Sequence, residues 1–452
     1  MNVWRFGSKY GIIGSIAGEM AKYKIAFTGE DDAQERISRE VKIGDYIAIT
    51  SGQKIIFVGL ATKIDKMSSL GIDNTLIDMV EKDLICVKMH PFFDTSSENK
   101  FYGGQGKDFH KALDSYTRLI IDIFNKSKSE ENMTETIAIL KANMQIVLTG
   151  APGTGKTYLA QEIATNLIGV AKEQLKNSNQ YKFVQFHPSY DYSDFVEGLK
   201  PEFVEEKLKD ESKSAEEPPT GQITFELKSG VFKKFCEDAQ KAYDESPVED
   251  NDPIKENAPK YVFVIDEINR ADLSRVFGEL FFGLEADYRG KPIEMQYSYL
   301  YVNRGEKKTE TFSIPPNVYI IGTMNDIDRS VESMDFALRR RFAWKEITAK
   351  ESEVIIDAAK ISADLKEDAK KRMDQLNKKI EEIMGSASYQ IGGAYFKKLE
   401  KYKESDKPFE SLWSNHLEGL LKEYLRGMSK SKGNENPLLR MKNAYDLKVD
   451  SK

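Results

Sequence analysis

Gly150-Ala151-Pro152-Gly153-Thr154-Gly155-Lys156-Thr157 is the stretch on which the fold turns. Gln145–Thr149 (QIVLT) precedes it, an apolar run fit for a buried parallel strand. Downstream, Leu159, Ile163 and Leu167 recur every four residues, which predicts a helix over 156–168 with one apolar face. A strand, a glycine-rich turn and a helix N-terminus together present a nest of backbone N–H groups to a phosphate. In such a loop Gly150, Pro152, Gly153, Thr154 and Gly155 shape the cradle. Lys156 reaches the β- and γ-phosphates, and Thr157 offers its hydroxyl to Mg²⁺.

A second element completes the pattern 110 residues after Lys156 (266 − 156). Tyr261–Ile265 (YVFVI) reads as another buried strand, and it ends in Asp266-Glu267. The carboxyl end of a parallel strand is where α/β folds bind ligands. There Asp266 holds Mg²⁺, directly or through water, and Glu267 polarises the attacking water. An acidic pair alone is equally a helix cap; the phosphate loop is what tips the reading. Val318–Thr323 (VYIIGT) is a third buried strand, followed by Met324-Asn325. The Asn325 amide is placed to orient that water or touch the γ-phosphate. Farther on, Arg339-Arg340-Arg341 falls where a helix should end. Cations there compensate the helix dipole. They also serve as arginine fingers for a neighbouring subunit, worth about 10³–10⁵ in rate.

Strands alternating with helices predict a doubly wound α/β fold over 131–348. Residues 349–428 turn helical and charged, a lid, with Leu417, Leu420, Leu421, Tyr424 and Leu425 on one face and Gly427 as a stop. Residues 429–452 read as a polar, poorly ordered tail. Residues 1–130 read as a separate module. In it 45–50 and 54–62 form a hairpin, 83–89 a strand and 112–125 a helix, a small β-barrel-like α+β domain. The apolar-free run 125–132 (NKSKSEEN) reads as the linker. Residues 202–220 and 244–260 read as solvated loops, and 296–311 as a hairpin insertion.

The 452 residues carry a net charge of −7, so any nucleic-acid contact must rest on a local basic surface. Two cysteines, Cys86 and Cys236, and four histidines without metal spacing argue against a disulfide framework or a cysteine-rich metal site. No apolar run is long enough for a membrane span and no signal-peptide pattern opens the chain. The expectation is a cytoplasmic protein without membrane contact.

The order of phosphate loop, DEINRADLSRVFGEL (266–280), TMNDIDRS (323–330) and ALRRRF (337–342) resembles an AAA+ ATPase module. Within that superfamily the MN-x-x-DRS signature is similar to the McrB type, the motor subunit of modification-dependent McrBC restriction systems. FHPSYDYSDFVEGLKP (186–201), YQIGGAYF (389–396) and LWSNHLEGLLKEYLRG (412–427) resemble the same family. The likeness spans roughly residues 140–427.

That resemblance implies homo-hexameric rings with nucleotide at subunit interfaces, GTP preferred over ATP, and a separate McrC-type nuclease subunit. It also implies DNA, with modified bases, read by a variable N-terminal domain. By motif, Asn325, Asp328 and Arg329 belong to the signature loop, and Arg340 or Arg341 is the finger. Two departures stand out. Asp326-Ile327 occupies the middle of the signature, where the family often has small residues. IGGAYF lacks the histidine many members carry, which leaves Gly393 and Ala394 without a sensor role. No guanine-reading NKxD motif follows the loop; Asn125-Lys126 precedes it.

Two other classes compete: a MoxR-type ATP-dependent protein remodeller, and a DNA-binding adaptor with a weak NTPase as clamp. Intact Glu267 and the arginine triplet oppose the adaptor, and the signature loop opposes the remodeller. In the N-terminal module VWRF (3–6), KIGD (42–45) and FVGLAT (57–62) faintly resemble PUA/EVE-type barrels. There Trp4, Tyr10, Tyr23 and Phe27 compete between base stacking and the core, and for any one of them the core is the better reading. The aromatics around His187 (Tyr190, Tyr192, Phe195) read as packing.

Overall fold

The computed structural model describes residues 2–7, 9–10, 14–15, 17–28, 31–51, 54–70, 72, 76, 80, 84–95, 109–111, 114–205, 221–247, 255, 257–303, 311–327, 339–426 and 436–448. The chain forms two compact units, Met1–Thr134 and Glu135–Lys452.

In the first unit, β1 (Val3–Gly7), β2 (Ile25–Ala26), β3 (Tyr46–Ser51), β4 (Lys54–Lys66), β5 (Ile85–Asp94) and β6 (Phe109–Lys111) form one mixed sheet, in the order β2-β5-β4-β3-β1-β6. The expected hairpin is β3–β4, and β1 joins β3 in parallel. Side chains alternate across a strand, so Trp4, Phe6, Ile47 and Ile49 enter one core while Val3, Ala48, Ile55 and Val58 enter another. Ile120, Ile123 and Phe124 of helix α1 (Asp114–Asn143) cover the second face. Register shifts at Ile49/Thr50, Gly59/Ala61 and Ala61/Lys63 mark bulges, which add the bend and twist of a barrel-like sheet.

The run expected as a linker, 125–132, lies inside α1. It lacks apolar residues because it is a solvated helical stretch, and Lys126 and Glu130 stand four apart at 3.7 Å. Trp4 is also settled. It is 3 % exposed, and its indole N–H donates to Asp45 (2.9 Å), so its ring faces the core. Phe27 is fully buried. Tyr23 is half-buried with the Lys22 amine over its ring, and the Tyr10 side chain lies outside the described residues.

The second unit is built on β7 (Gln145–Thr149), β8 (Tyr181–Gln185), β11 (Tyr261–Asp266), β14 (Val318–Thr323) and β15 (Ala343–Glu346). All are parallel, in the order β8-β11-β14-β7-β15. β7, β11 and β14, almost wholly apolar and buried, occupy the middle, as a sheet covered on both faces requires. Helix α2 (Lys156–Ile168) leaves β7 through the glycine-rich turn.

Between β8 and β11 the chain makes an antiparallel ribbon, β9 (Glu197–Glu205) with β10 (Gly221–Ser229). Residues 202–205, expected in a loop, therefore pair with 221–224. Their alternation puts Phe203, Ile223 and Phe225 on the surface beside Leu199. At the foot of the ribbon Glu197 and Lys233 form a fully buried ion pair at 2.7 Å. Of the hairpin expected near 296–311, the described residues show a two-residue antiparallel base, β12 (Ile293–Glu294) with β13 (Thr311–Phe312), and a helix at Ser298–Asn303; 304–310 lie outside the described residues.

The lid gathers around helix α3 (Ala363–Met384) and helix α4 (Glu418–Leu425), with Leu376, Ile380, Leu417 and Leu421 at its centre. The tail expected to be poorly ordered contributes helix α5 (Pro437–Tyr445), whose Met441 and Tyr445 are fully buried in the lid core. Among the described residues no helix is long and apolar enough to cross a membrane.

Candidate functional site

Parallel pairing of β7 with β14 and of β14 with β11 brings the three strand ends to one edge of the sheet. At that edge the turn 150–155 is held open by residues only glycine fits. Gly153 has φ +79°, and a Cβ there would stand 2.6 Å from the Tyr395 ring. Gly155, at φ +86°, caps α2. Lys156 is 7 % exposed and its ammonium donates to the carbonyls of Gly150 (3.0 Å) and Ala151 (2.9 Å). The Thr154 hydroxyl donates to Ala151 as well (3.0 Å). The lysine thus rests within the loop it serves, its charge aimed into the cradle.

Asp266 sits where the cation is expected. Its Oδ1 accepts from the Thr157 hydroxyl at 2.7 Å and from the Thr323 hydroxyl at 2.6 Å. A hydroxyl and a carboxylate sharing a contact are hard oxygen donors of the kind Mg²⁺ takes, so the residues fit that ion. Thr323 was not singled out in the sequence. Its signal was its place, the last residue of the strand before Asn325.

Glu267 adopts the left-handed conformation (φ +53°, ψ +47°), uncommon for a side chain of this size. Its carboxylate meets Asn325, just past the end of β14. Asn325 donates to Glu267 Oε1 at 2.8 Å, and Arg270 Nε lies 3.4 Å from Oε2. The Glu267 N–H meets the Thr323 hydroxyl at 3.3 Å. Asn325 therefore orients the Glu267 carboxylate, and Arg270, which no sequence motif singled out, steadies its other oxygen.

The next residues of the signature loop lean on the loop and the lid. The Asp326 N–H faces the Gly150 carbonyl at 3.5 Å, and Ile327 packs into the lid core. Burial pushes the Asp326 carboxyl above the usual range, with Lys156 acting against it. Asp328 and Arg329 lie outside the described residues.

The lid touches the phosphate loop through main chain. Gly392 N–H donates to the Pro152 carbonyl (2.9 Å) and Ala394 N–H to the Gly153 carbonyl (3.0 Å). A Cβ on Gly392 would lie 2.3 Å from Gly153 backbone atoms. Gly393 and Ala394 thus carry no sensing side chain, yet their segment holds the loop from behind.

The two arginines differ. Arg341 is 12 % exposed and pairs with Glu285 at 3.0 Å, while Arg340 is 70 % exposed and lies 3.8 Å from the same carboxylate. The aromatics after His187 are packing, as expected. Phe195 is fully buried and stacks on Phe232 at 4.7 Å, and Tyr190 stacks on Phe186 at the same distance.

Family models agree with this arrangement. The AAA domain of the dynein-related subfamily matches residues 145–342, and the McrB alpha-helical lid domain matches 368–432. The chain is 31 % identical over 390 residues to the Type IV methyl-directed restriction enzyme EcoKMcrB subunit of Escherichia coli (strain K12), covering 83 % of this chain and 72 % of that protein. It is 29 % identical over 229 residues to the Type II restriction enzyme BsuMI component YdiS of Bacillus subtilis (strain 168), covering 48 % and 60 %. Among solved structures, C. elegans PCH-2 covers 70 % of this chain and 68 % of its own at 14 % identity. Its TM-score is 0.21, a superposition too loose to locate any residue.

Proposed function

The chain belongs to the McrB family of AAA+ nucleoside-triphosphatases, and from that premise we propose that it is the ring-forming motor of a modification-dependent restriction system. In this reading it assembles as a homo-hexamer, hydrolyses GTP in preference to ATP, and drives a separate McrC-type nuclease. Residues 1–130 act as the DNA reader, 131–348 as the nucleotide subdomain and 349–428 as the lid.

The observation that carries the proposal is the catalytic set at the sheet edge. Lys156, Thr157, Asp266, Glu267 and Asn325 gather at the ends of β7, β11 and β14, with Thr157 bonded to Asp266 and Asn325 to Glu267, which supports this reading. Thr157 and Asp266 would hold Mg²⁺, which would supply neutralisation of the charge that develops on the nucleotide's phosphates. Lys156 turns from loop carbonyls to phosphate oxygens. Glu267, aimed by Asn325, orients and polarises the attacking water, and the exposed Arg340 reaches the γ-phosphate of a neighbouring subunit.

The test is kcat/KM for GTP and for ATP, measured on the full chain with unmodified and base-modified duplexes at fixed salt. Mass is followed in parallel by light scattering. A GTP preference, stimulation by modified DNA and ring formation with nucleotide are expected. ATP use without response to any DNA would favour the MoxR-type remodeller, and a monomer at full specific activity would remove the ring.

A further inference from the structure

Behind the arginines lies a buried polar network that the chemistry at the phosphate loop does not use. Gln145, the first residue of β7, is 2 % exposed. Its Nε2 donates to the carbonyls of Arg341 (2.6 Å) and Leu284 (2.7 Å). Its Oε1 accepts from Arg289 Nη2 at 2.6 Å. Arg289 is itself buried, and its remaining arms reach the carbonyls of Leu284 (3.3 Å) and Val318 (3.1 Å). Among the described residues no carboxylate pairs with it. Burial lowers its pKa to about 10, so it stays charged at neutral pH.

A buried cation without a carboxylate is a costly way to fill a core, and apolar residues close such a space at least as well. What apolar residues lack is a rigid fork that gathers several acceptors in fixed directions. Here the fork collects the start of β7, the start of β14 and the segment after the acidic pair. Gln145 passes that geometry to the Arg341 carbonyl. The Arg341 side chain is pinned as well, on Glu285 and 5.4 Å from the Phe281 ring centre. Both ends of Arg341 are held, while the adjoining Arg340 stays 70 % exposed, loosely paired with the same Glu285 at 3.8 Å.

We propose that Gln145 and Arg289 are positioning residues for Arg340, setting the main chain from which it reaches the neighbouring subunit. This rests on the reading of Arg340 as the finger acting in trans. Gln145→Glu probes the network, because a carboxylate still accepts from Arg289 but no longer donates to the Arg341 and Leu284 carbonyls. Arg289→Lys keeps the charge and loses the fork, and carries the same comparison should Gln145→Glu fail to fold.

The experiment measures kcat at ring-saturating protein concentration, nucleotide affinity with a fluorescent GTP analogue, and melting temperature. Each variant is tested alone and combined with Arg340→Ala. Arg340→Ala alone is expected to lose about 10³-fold or more in kcat. Gln145→Glu is expected to lose about 10- to 100-fold, the scale of a misplaced catalytic group, with nucleotide affinity unchanged. In the Arg340→Ala background Gln145→Glu should cost nothing further, since the group it positions is gone. Losses that multiply in the double variant would mean general damage and overturn the proposal. So would Gln145→Glu at the wild-type rate beside an inactive Arg340→Ala. Arg340→Ala at the wild-type rate would remove the finger itself, and this inference with it.

Discussion

Gly392→Ala should uncouple the lid from the phosphate loop. The added Cβ would lie 2.3 Å from both the C and the O of Gly153 and 2.4 Å from Thr154 N. All three are backbone atoms, so no rotamer change relieves the clash. Ordinary carbon contact begins at about 3.5 Å, so the segments must separate by roughly 1 Å. The Gly392–Pro152 and Ala394–Gly153 hydrogen bonds, now 2.9 and 3.0 Å, would then stretch to about 4 Å and be lost. Each is worth about 0.5–1.5 kcal/mol net, which gives roughly 1–3 kcal/mol in all. The loss falls on the loop shape that nucleotide needs, so Kd for a fluorescent nucleotide should rise by about 5- to 150-fold. Gly385→Ala is the control. It lies in the same lid at φ +72°, where a Cβ meets nothing within 4 Å, so it brings backbone strain without touching the loop. Equal nucleotide affinity for Gly392→Ala and wild type would refute the view that the lid braces the loop through its main chain.

Other outcomes follow from the same geometry. Glu267→Gln keeps the shape that Asn325 holds and should bind nucleotide while hydrolysis drops about 10²- to 10⁴-fold; turnover at the wild-type rate would relocate the base. Lys156→Ala should instead weaken nucleotide binding itself, read by the same fluorescent analogue. Lys233→Met strands the buried Glu197 carboxylate and should cost about 3–5 kcal/mol in urea unfolding, whereas Glu197→Leu/Lys233→Met should recover most of it; a loss under about 1 kcal/mol for the single change would show the pair is hydrated. Trp4→Ala should destabilise the N-terminal unit by about 3–5 kcal/mol through its lost packing and its bond to Asp45. Unchanged stability with a lost preference for modified DNA would return Trp4 to base stacking.

The phosphate loop, the acidic pair and the three central strands β7, β11 and β14 were legible because each is local, whereas the flanking β8 (YKFVQ) and β15 (AWKE) carry too few apolar residues to announce themselves. A five- or six-residue apolar run and a fixed glycine spacing hardly depend on the rest of the chain. What escaped was of two kinds. Residues 125–132 have a polar composition that suits a loop and a solvated helix equally, and 202–205 (EFVE), an alternating strand end, was averaged into the polar run 202–220; only their partners decide. The C-terminal helix did carry a signal. Asn436 accepts from the Leu438 N–H, Pro437 follows it, and Leu438, Met441 and Tyr445 are spaced three and four apart. A polar average over 429–452 hid it. At the site, Thr323, Arg270 and the lid's hold on the loop depend on tertiary approach, and no spacing in the sequence announces them.

The left-handed backbone at Glu267 bears on how such a chain changes over generations. A non-glycine residue in that conformation carries strain of order 1–3 kcal/mol. Substitution by glycine, or by asparagine, which tolerates it better, relieves part of that strain and at the same time deletes the carboxylate proposed as the base. Stability and turnover therefore pull in opposite directions at this one position. If Glu267 has the role proposed for it, a lineage released from selection on hydrolysis would find its loss thermodynamically downhill, and screens for thermostable variants will tend to return folded proteins that no longer turn over.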